Sequence, residues 1–185
     1  NTAATNSFNL AAINDVPAVD VTAIAALAAG TEDTVYTISL SSLLQGYSDA
    51  DGDTLSVLGL SASDGFITRS ADGLSYSFTP NPDFNGTVNL NYVVSDSKGG
   101  NFLASNSFNI AAVNDQPIRT AGNLTTLYFL EDQALASIGL GALNYSVGGG
   151  ADEAASQTLT YTVTELPPAA KGTIYLNDGT TAVTP

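Results

Sequence analysis

Hydrophobic residues recur at every second position along much of this chain. In residues 87–95, Val88, Leu90, Tyr92 and Val94 fall on one side, the period-two signature of a half-buried strand. This is the longest clean strand the pattern predicts. Residues 35–40 alternate in the same way, with Tyr36, Ile38 and Leu40 opposite Val35, Thr37 and Ser39. Leu74, Tyr76 and Phe78 oppose Ser75, Ser77 and Thr79, and Ala71-Asp-Gly73 joins that strand to residues 65–70 as a hairpin. Leu55 and Val57 share a face until the phase slips to Leu58 and Leu60 beside Gly59, which predicts a bulge. Residues 18–30, rich in Ala and Val, are ambiguous with helix in their Ala run and are read as a strand because Thr and Val intervene and Gly30 closes the segment. Residues 41–46 form one helical turn, capped by serine and ended by glycine. A last strand spans about 102–113. Strands this short, with turns at this spacing, predict an all-β chain and a β-sandwich of immunoglobulin type.

The pattern also repeats. Asn106-Ser-Phe-Asn-Ile-Ala-Ala-Val-Asn-Asp-Gln-Pro117 has a near copy in Asn6-Ser-Phe-Asn-Leu-Ala-Ala-Ile-Asn-Asp-Val-Pro17, the mark of a repeat unit of about 100 residues. Residues 1–13 are then the last strand of a preceding repeat, 14–116 a complete sandwich, and 117–185 the N-terminal part of a following one. Glu131-Asp132 answers to Glu32-Asp33, Thr158-Leu159 to Thr54-Leu55, and Asn177-Asp-Gly179 to Ala71-Asp-Gly73. The expected fold is tandem sandwiches, the second incomplete in this chain.

Charge narrows the function. Eighteen Asp and Glu oppose four Lys and Arg, a formal net charge of −14. Such a chain repels nucleic acid and anionic lipid, since phosphate contacts need Lys and Arg. No stretch approaches the length of apolar sequence that spans a membrane. Cys, Met, Trp and His are absent, which removes disulfides, thiolate or imidazole metal sites and the usual Ser-His base. A chain free of oxidisable Cys and Met suits export to the cell exterior.

The acids gather at strand ends and junctions: Asp15, Glu32-Asp33, Asp49/Asp51/Asp53, Asp96 and Asp115. Crowded carboxylates repel unless a cation sits among them, and hard oxygen donors select calcium or magnesium. Asp49-Ala-Asp-Gly-Asp53 sets side chains at alternate positions around a glycine, like the front of an EF-hand loop. It leads into a strand, however, and carries no bidentate Glu at the twelfth position. The bland reading is a polar turn with solvated carboxylates. Paired acids also hydrolyse glycosides, but recurrence of acids at equivalent turns suits structure better, and no enzyme is expected. Tyr36, Tyr76 and Tyr92 are expected in the core, Tyr92 as a tyrosine corner.

Asn14-Asp-Val-Pro17, Gly30-Thr-Glu-Asp-Thr34, Asp49-Ala-Asp-Gly-Asp-Thr-Leu55, Tyr76-Ser-Phe-Thr-Pro-Asn-Pro-Asp-Phe-Asn-Gly86, Tyr92-Val-Val-Ser-Asp96 and Val113-Asn-Asp-Gln-Pro117 together resemble the bacterial cadherin-like tandem repeats of large secreted adhesins, including those of the repeats-in-toxin type. The resemblance covers residues 14–117; beyond them it is looser, with Asp152-Glu153 in place of the full acidic loop. It implies calcium-binding sandwiches joined end to end. Carried over residue by residue, it implies that Glu32, Asn114 and Asp115 meet Asp152 and Glu153. Asn14 and Asp15 would meet Asp49 and Asp51, with Asp96 a further candidate and Asp53 serving that site or only the turn. The implied cofactor is Ca2+ and the implied partners are neighbouring repeats of the same chain, with cell-surface glycans or like chains beyond them. The expected function is an extracellular, calcium-stiffened rod for adhesion to cells or surfaces. Two rivals are a self-assembling surface-layer or filament subunit that donates residues 1–13 as a strand, and a carbohydrate-binding module.

Overall fold

A computed structural model describes residues 5–123, 128, 136–166, 168, 171–175 and 181–183. The chain divides into two compact units, Asn1–Val113 and Asn114–Pro185.

The first unit is all-β apart from one helical turn. In order it comprises β1 (Ala18–Val19), β2 (Gly30–Thr31), β3 (Tyr36–Ser39), α1 (Leu40–Leu44), β4 (Tyr47–Ser48), β5 (Ser56–Ala62), β6 (Gly65–Arg69), β7 (Ser75–Pro80), β8 (Gly86–Ser95) and β9 (Asn101–Ala111). One sheet runs β2-β9-β8-β5, a second β3-β7-β6, and β1 pairs with β4. All pairs are antiparallel except β2 on β9.

The alternation explains why two sheets must face each other. Val88, Leu90, Tyr92 and Val94 on β8 are at most 3% exposed, as are Ile38 and Val57, while their odd-numbered neighbours on β8 from Thr87 to Asn91 face outward. Phe108 on β9 crosses the gap between sheets. It stacks on Tyr36 of β3 at 4.4 Å and meets Phe78 of β7 edge-on at 5.3 Å. Such aromatic pairs add to the burial of their apolar area. The predicted bulge is present: the β5–β8 register shifts between Leu58 and Ser61, where Gly59 has a φ of +61°.

Several expectations change. Residues 18–30 do not form one strand, because Asp20 turns the chain: its Oδ1 accepts from the backbone N and the hydroxyl of Thr22 at 2.9 and 2.7 Å. The helical turn is capped by Ser39, whose hydroxyl accepts from the N of Ser42 at 3.0 Å. Leu74 does not follow Tyr76 and Phe78 inward; it belongs to the hairpin turn and is 65% exposed. The last strand stops at Ala111 and not at 113, because the N–H of Val113 donates to the side chain of Glu32. Tyr92 is not a tyrosine corner in the usual sense. Its hydroxyl donates to the carbonyl of Leu43 in α1 at 2.9 Å, a partner distant in sequence. Residues 5–13 form no strand, and Phe8, Leu10 and Ile13 stay exposed. A strand needs a neighbouring ladder, and none lies beside this segment among the described residues.

The second unit begins as the first does. β10 (Ile118–Ala121) pairs with β11 (Asn144–Ser146) in an antiparallel register of Ile118 with Ser146 and Arg119 with Tyr145, like Ala18 with Ser48 and Val19 with Tyr47. A 3-10 turn at Leu140–Ala142 stands where α1 stands in the first unit. The expected acidic loop then departs: Gly148-Gly-Gly150 leads into α2 (Ala151–Ser156), so Asp152 and Glu153 lie in a helical first turn. The strand expected after Thr158-Leu159 is absent from the described residues 157–166. Glu131-Asp132 and Asn177-Asp-Gly179 lie outside the described residues.

Candidate metal centre

Three connections bring acids together at one end of the first unit: the Asn14-Asp15 junction before β1, the loop between β4 and β5, and the turn between β8 and β9. The β4–β5 loop folds on itself because Asp49 serves as its internal acceptor. Its Oδ1 takes the N–H of Asp51 at 2.9 Å and that of Asp53 at 3.3 Å. Gly52, at φ +76°, completes the turn, a conformation that disfavours residues with a Cβ. Asp49, Asp51 and Asp53 thereby present one carboxylate oxygen each within 4.8 Å of one another.

The junction closes on this triad. The N–H of Asp15 donates to Asp51 Oδ2 at 2.8 Å. Asn14 Nδ2 donates to Asp96 Oδ2 at 2.7 Å and to the carbonyl of Asp15 at 3.1 Å. Asp96 is 3% exposed and holds the β8–β9 turn: its Oδ1 accepts from the N–H of Lys98 at 2.7 Å and of Gly100 at 2.9 Å. The Asn14 amide, followed by those backbone N–H groups, lowers its pKa below the ordinary carboxylate value. A side chain at position 100 would collide with the Asp96 carboxylate. The turn also carries Lys98, whose Nζ lies 2.5 Å from Asp53 Oδ1. That contact raises the lysine pKa.

Asp49 Oδ2 and Asp53 Oδ2 remain buried with no hydrogen-bond partner. An orphaned buried oxygen costs free energy, and a cation removes that cost. The donors are all oxygens, with no imidazole or thiolate, which suits calcium or magnesium. The residues therefore fit the implied ion.

Glu32 sits elsewhere. It is 2% exposed, accepts from the N–H of Val113, and takes Asn85 Nδ2 at 3.4 Å. Val113 follows the end of β9, whereas Asp96 and Lys98 precede its start. A strand of that length puts the two acidic regions about 35 Å apart. Asp33, next to Glu32, accepts from the N–H of Asp83 at 3.4 Å, and both aspartates have positive φ.

Within the second unit, Asn114 Nδ2 bonds the carbonyl of Asp115 at 3.1 Å, as Asn14 does with Asp15. A Cβ at Gly149 would collide with the carboxylates of both Asp115 and Glu153, so the two approach the same glycine. Asp152 accepts the Ser156 hydroxyl through its carbonyl at 2.6 Å.

Sequence reasoning missed Lys98, Asn85 and Asp83 as neighbours of the acids. Only Lys98 had a signal, as a basic residue in the turn directly after Asp96.

A model of the cadherin-like domain family matches residues 13–111, more than half of the chain. Among curated proteins, none matches. Among solved structures, an endo-fucoidan hydrolase of glycoside hydrolase family 107 is similar at 25% identity over 52% of this chain, with a TM-score of 0.39. This chain spans 14% of the hydrolase's length. Among the described residues, no helix is long and apolar enough to cross a membrane.

Proposed function

The chain belongs to the cadherin-like domain family, and from that premise we propose that it is a calcium-binding extracellular repeat of a bacterial surface adhesin, stiffened by calcium for adhesion to cells or surfaces. The observation that carries the reading is the pair of orphaned oxygens, Asp49 Oδ2 and Asp53 Oδ2, within a triad already tied to the Asn14-Asp15 junction. Asp49, Asp51 and Asp53 would hold the ion, with Asn14, Asp15 and Asp96 fixing the loops around them. Bound calcium would neutralise the carboxylates and cross-link the segments that bear them. The residues do the rest: Asp49 shapes its own loop, Asp51 holds the junction, and Asp96 holds the facing turn. The same reading extends to Glu32 in the first unit and, separately, to Asn114, Asp115, Asp152 and Glu153 in the second, residues that the family resemblance implies as ligands; calcium held there would appear in a titration beyond the first ion. The family is typically non-enzymatic, and mechanical service requires no catalytic group.

The test is calorimetric titration of the EDTA-stripped chain with calcium, followed by melting and small-angle scattering with and without the ion. Free calcium at about 100 times a site's dissociation constant stabilises the chain by about 2.7 kcal/mol. A raised melting temperature and a narrower spread of scattering lengths are expected. Absence of binding heat together with unchanged melting sinks the proposal.

A further inference from the structure

The triad already faces a cation of the protein's own. Lys98 Nζ is 2.5 Å from Asp53 Oδ1, with the lysine side chain 61% exposed and that of Asp53 only 12%. The lysine is not a loose surface arm that happens to touch an acid. Its backbone N–H is held by Asp96 Oδ1 at 2.7 Å, Ser97 before it has a φ of +62°, and Gly99 after it a φ of +114°. Asp96 is tied in turn to Asn14, and Asp15 to Asp51. The contacts thus form a ring: junction to Asp96, Asp96 to the Lys98 turn, Lys98 to Asp53, and the acidic loop back to the junction. The turn delivers the ammonium to the one oxygen of Asp53 that is bonded, while the other oxygen and Asp49 Oδ2 remain without a partner.

We propose that Lys98 is a built-in counter-ion, one that holds the triad together in the absence of metal and competes with calcium for Asp53, so setting the calcium concentration at which the site fills. The inference rests on the calcium reading above and adds its regulation. Three carboxylates with one ammonium need less external charge than three alone. A divalent ion that enters must displace the ammonium from Asp53 or bind beside a like charge. Either route weakens binding. A unit charge about 5 Å from a divalent ion, near water and screened by salt, corresponds to about a tenfold change in affinity. Because the Lys98 side chain is largely exposed, it can swing into solvent without leaving a cavity. The lysine therefore shifts filling of the site to higher calcium while keeping its carboxylates together when no metal is bound.

The experiment compares the whole chain with Lys98→Gln and Lys98→Arg, each stripped with EDTA and titrated with calcium chloride alone by calorimetry. Lys98→Gln is expected to bind calcium about tenfold more tightly, and to melt at a lower temperature than wild type without metal. The melting difference should vanish at saturating calcium. Lys98→Arg keeps the charge and should bind as wild type does. An equal or weaker affinity in Lys98→Gln overturns the inference while leaving the calcium reading in place. So does a tighter affinity in Lys98→Arg matching that of Lys98→Gln, since charge would then not be the cause. Absence of calcium binding in all three overturns the reading of the site and, with it, the competition.

Discussion

Replacing Tyr92 by Phe removes one oxygen from the middle of the sandwich and nothing else. Tyr92 is 3% exposed, and its hydroxyl donates to the carbonyl of Leu43 at 2.9 Å. Leu43 is fully buried near the end of α1, where helical carbonyls have no partner of their own. Phe keeps the ring, and with it the edge-on contact to Tyr47 at 6.5 Å. The loss is therefore that of a hydrogen bond that leaves a buried carbonyl unsatisfied, about 1–3 kcal/mol. For a unit of this size each kcal/mol lowers the melting temperature by about 4–8 °C. Urea unfolding followed by circular dichroism, at fixed calcium, should show an earlier midpoint with an unchanged slope. Phe66→Ala, at a site 72% exposed, is the control and should stay within about 0.5 kcal/mol of wild type. A pH series adds a second reading. Burial, with Tyr47 beside it, pushes the Tyr92 pKa well above the ordinary tyrosine value. The unfolded chain then releases its proton first, from about pH 10 upward, so stability falls as pH rises past that point. Tyr92→Phe should fall less steeply there. A midpoint equal to that of wild type at pH 7 would refute the claim that the hydroxyl satisfies Leu43.

Phe78→Ala should cost about 3–5 kcal/mol, read from the same urea curves, because Phe78 is fully buried and packs edge-on against Phe108. Asn14→Ala should raise the Asp96 pKa toward the ordinary value, measured by carboxyl-carbon NMR, since the Asn14 amide is the largest cause of its lowering. The sign follows: a lowered native pKa contributes stability above about pH 4 that is lost as pH falls through the native value. The gap between wild type and Asn14→Ala at neutral pH should therefore narrow below pH 4.

Pattern alone located most strands of the first unit, because burial on a sheet face obliges every second residue to be apolar. Val88 to Val94, Tyr36 to Ile38, the hairpin at Asp72-Gly73 and the bulge at Gly59 were all legible for that reason. The segment without clear periodicity, residues 18–30, was misread, because Asp20 bends it through local bonds that compete with a strand. Residues 5–13 carry the alternating pattern but have no ladder beside them among the described residues.

The sequence by itself determined that this chain is all-β, acidic and built on a repeated motif, since alternation, charge and duplication are properties of order along the chain. The family resemblance named Asn14, Asp15, Asp49, Asp51 and Asp96 as one group, but only the tertiary structure decided which atoms of them bond. Asp15 meets Asp51 and Asn14 meets Asp96 across long stretches of sequence, and Glu32 turns instead to Val113 at the far end of β9. Lys98 entered the acidic triad the same way. Spacing along the chain does not reveal pairings such as Lys98 with Asp53 or Glu32 with Val113, because they are set by how two sheets pack and where each loop is left when they do.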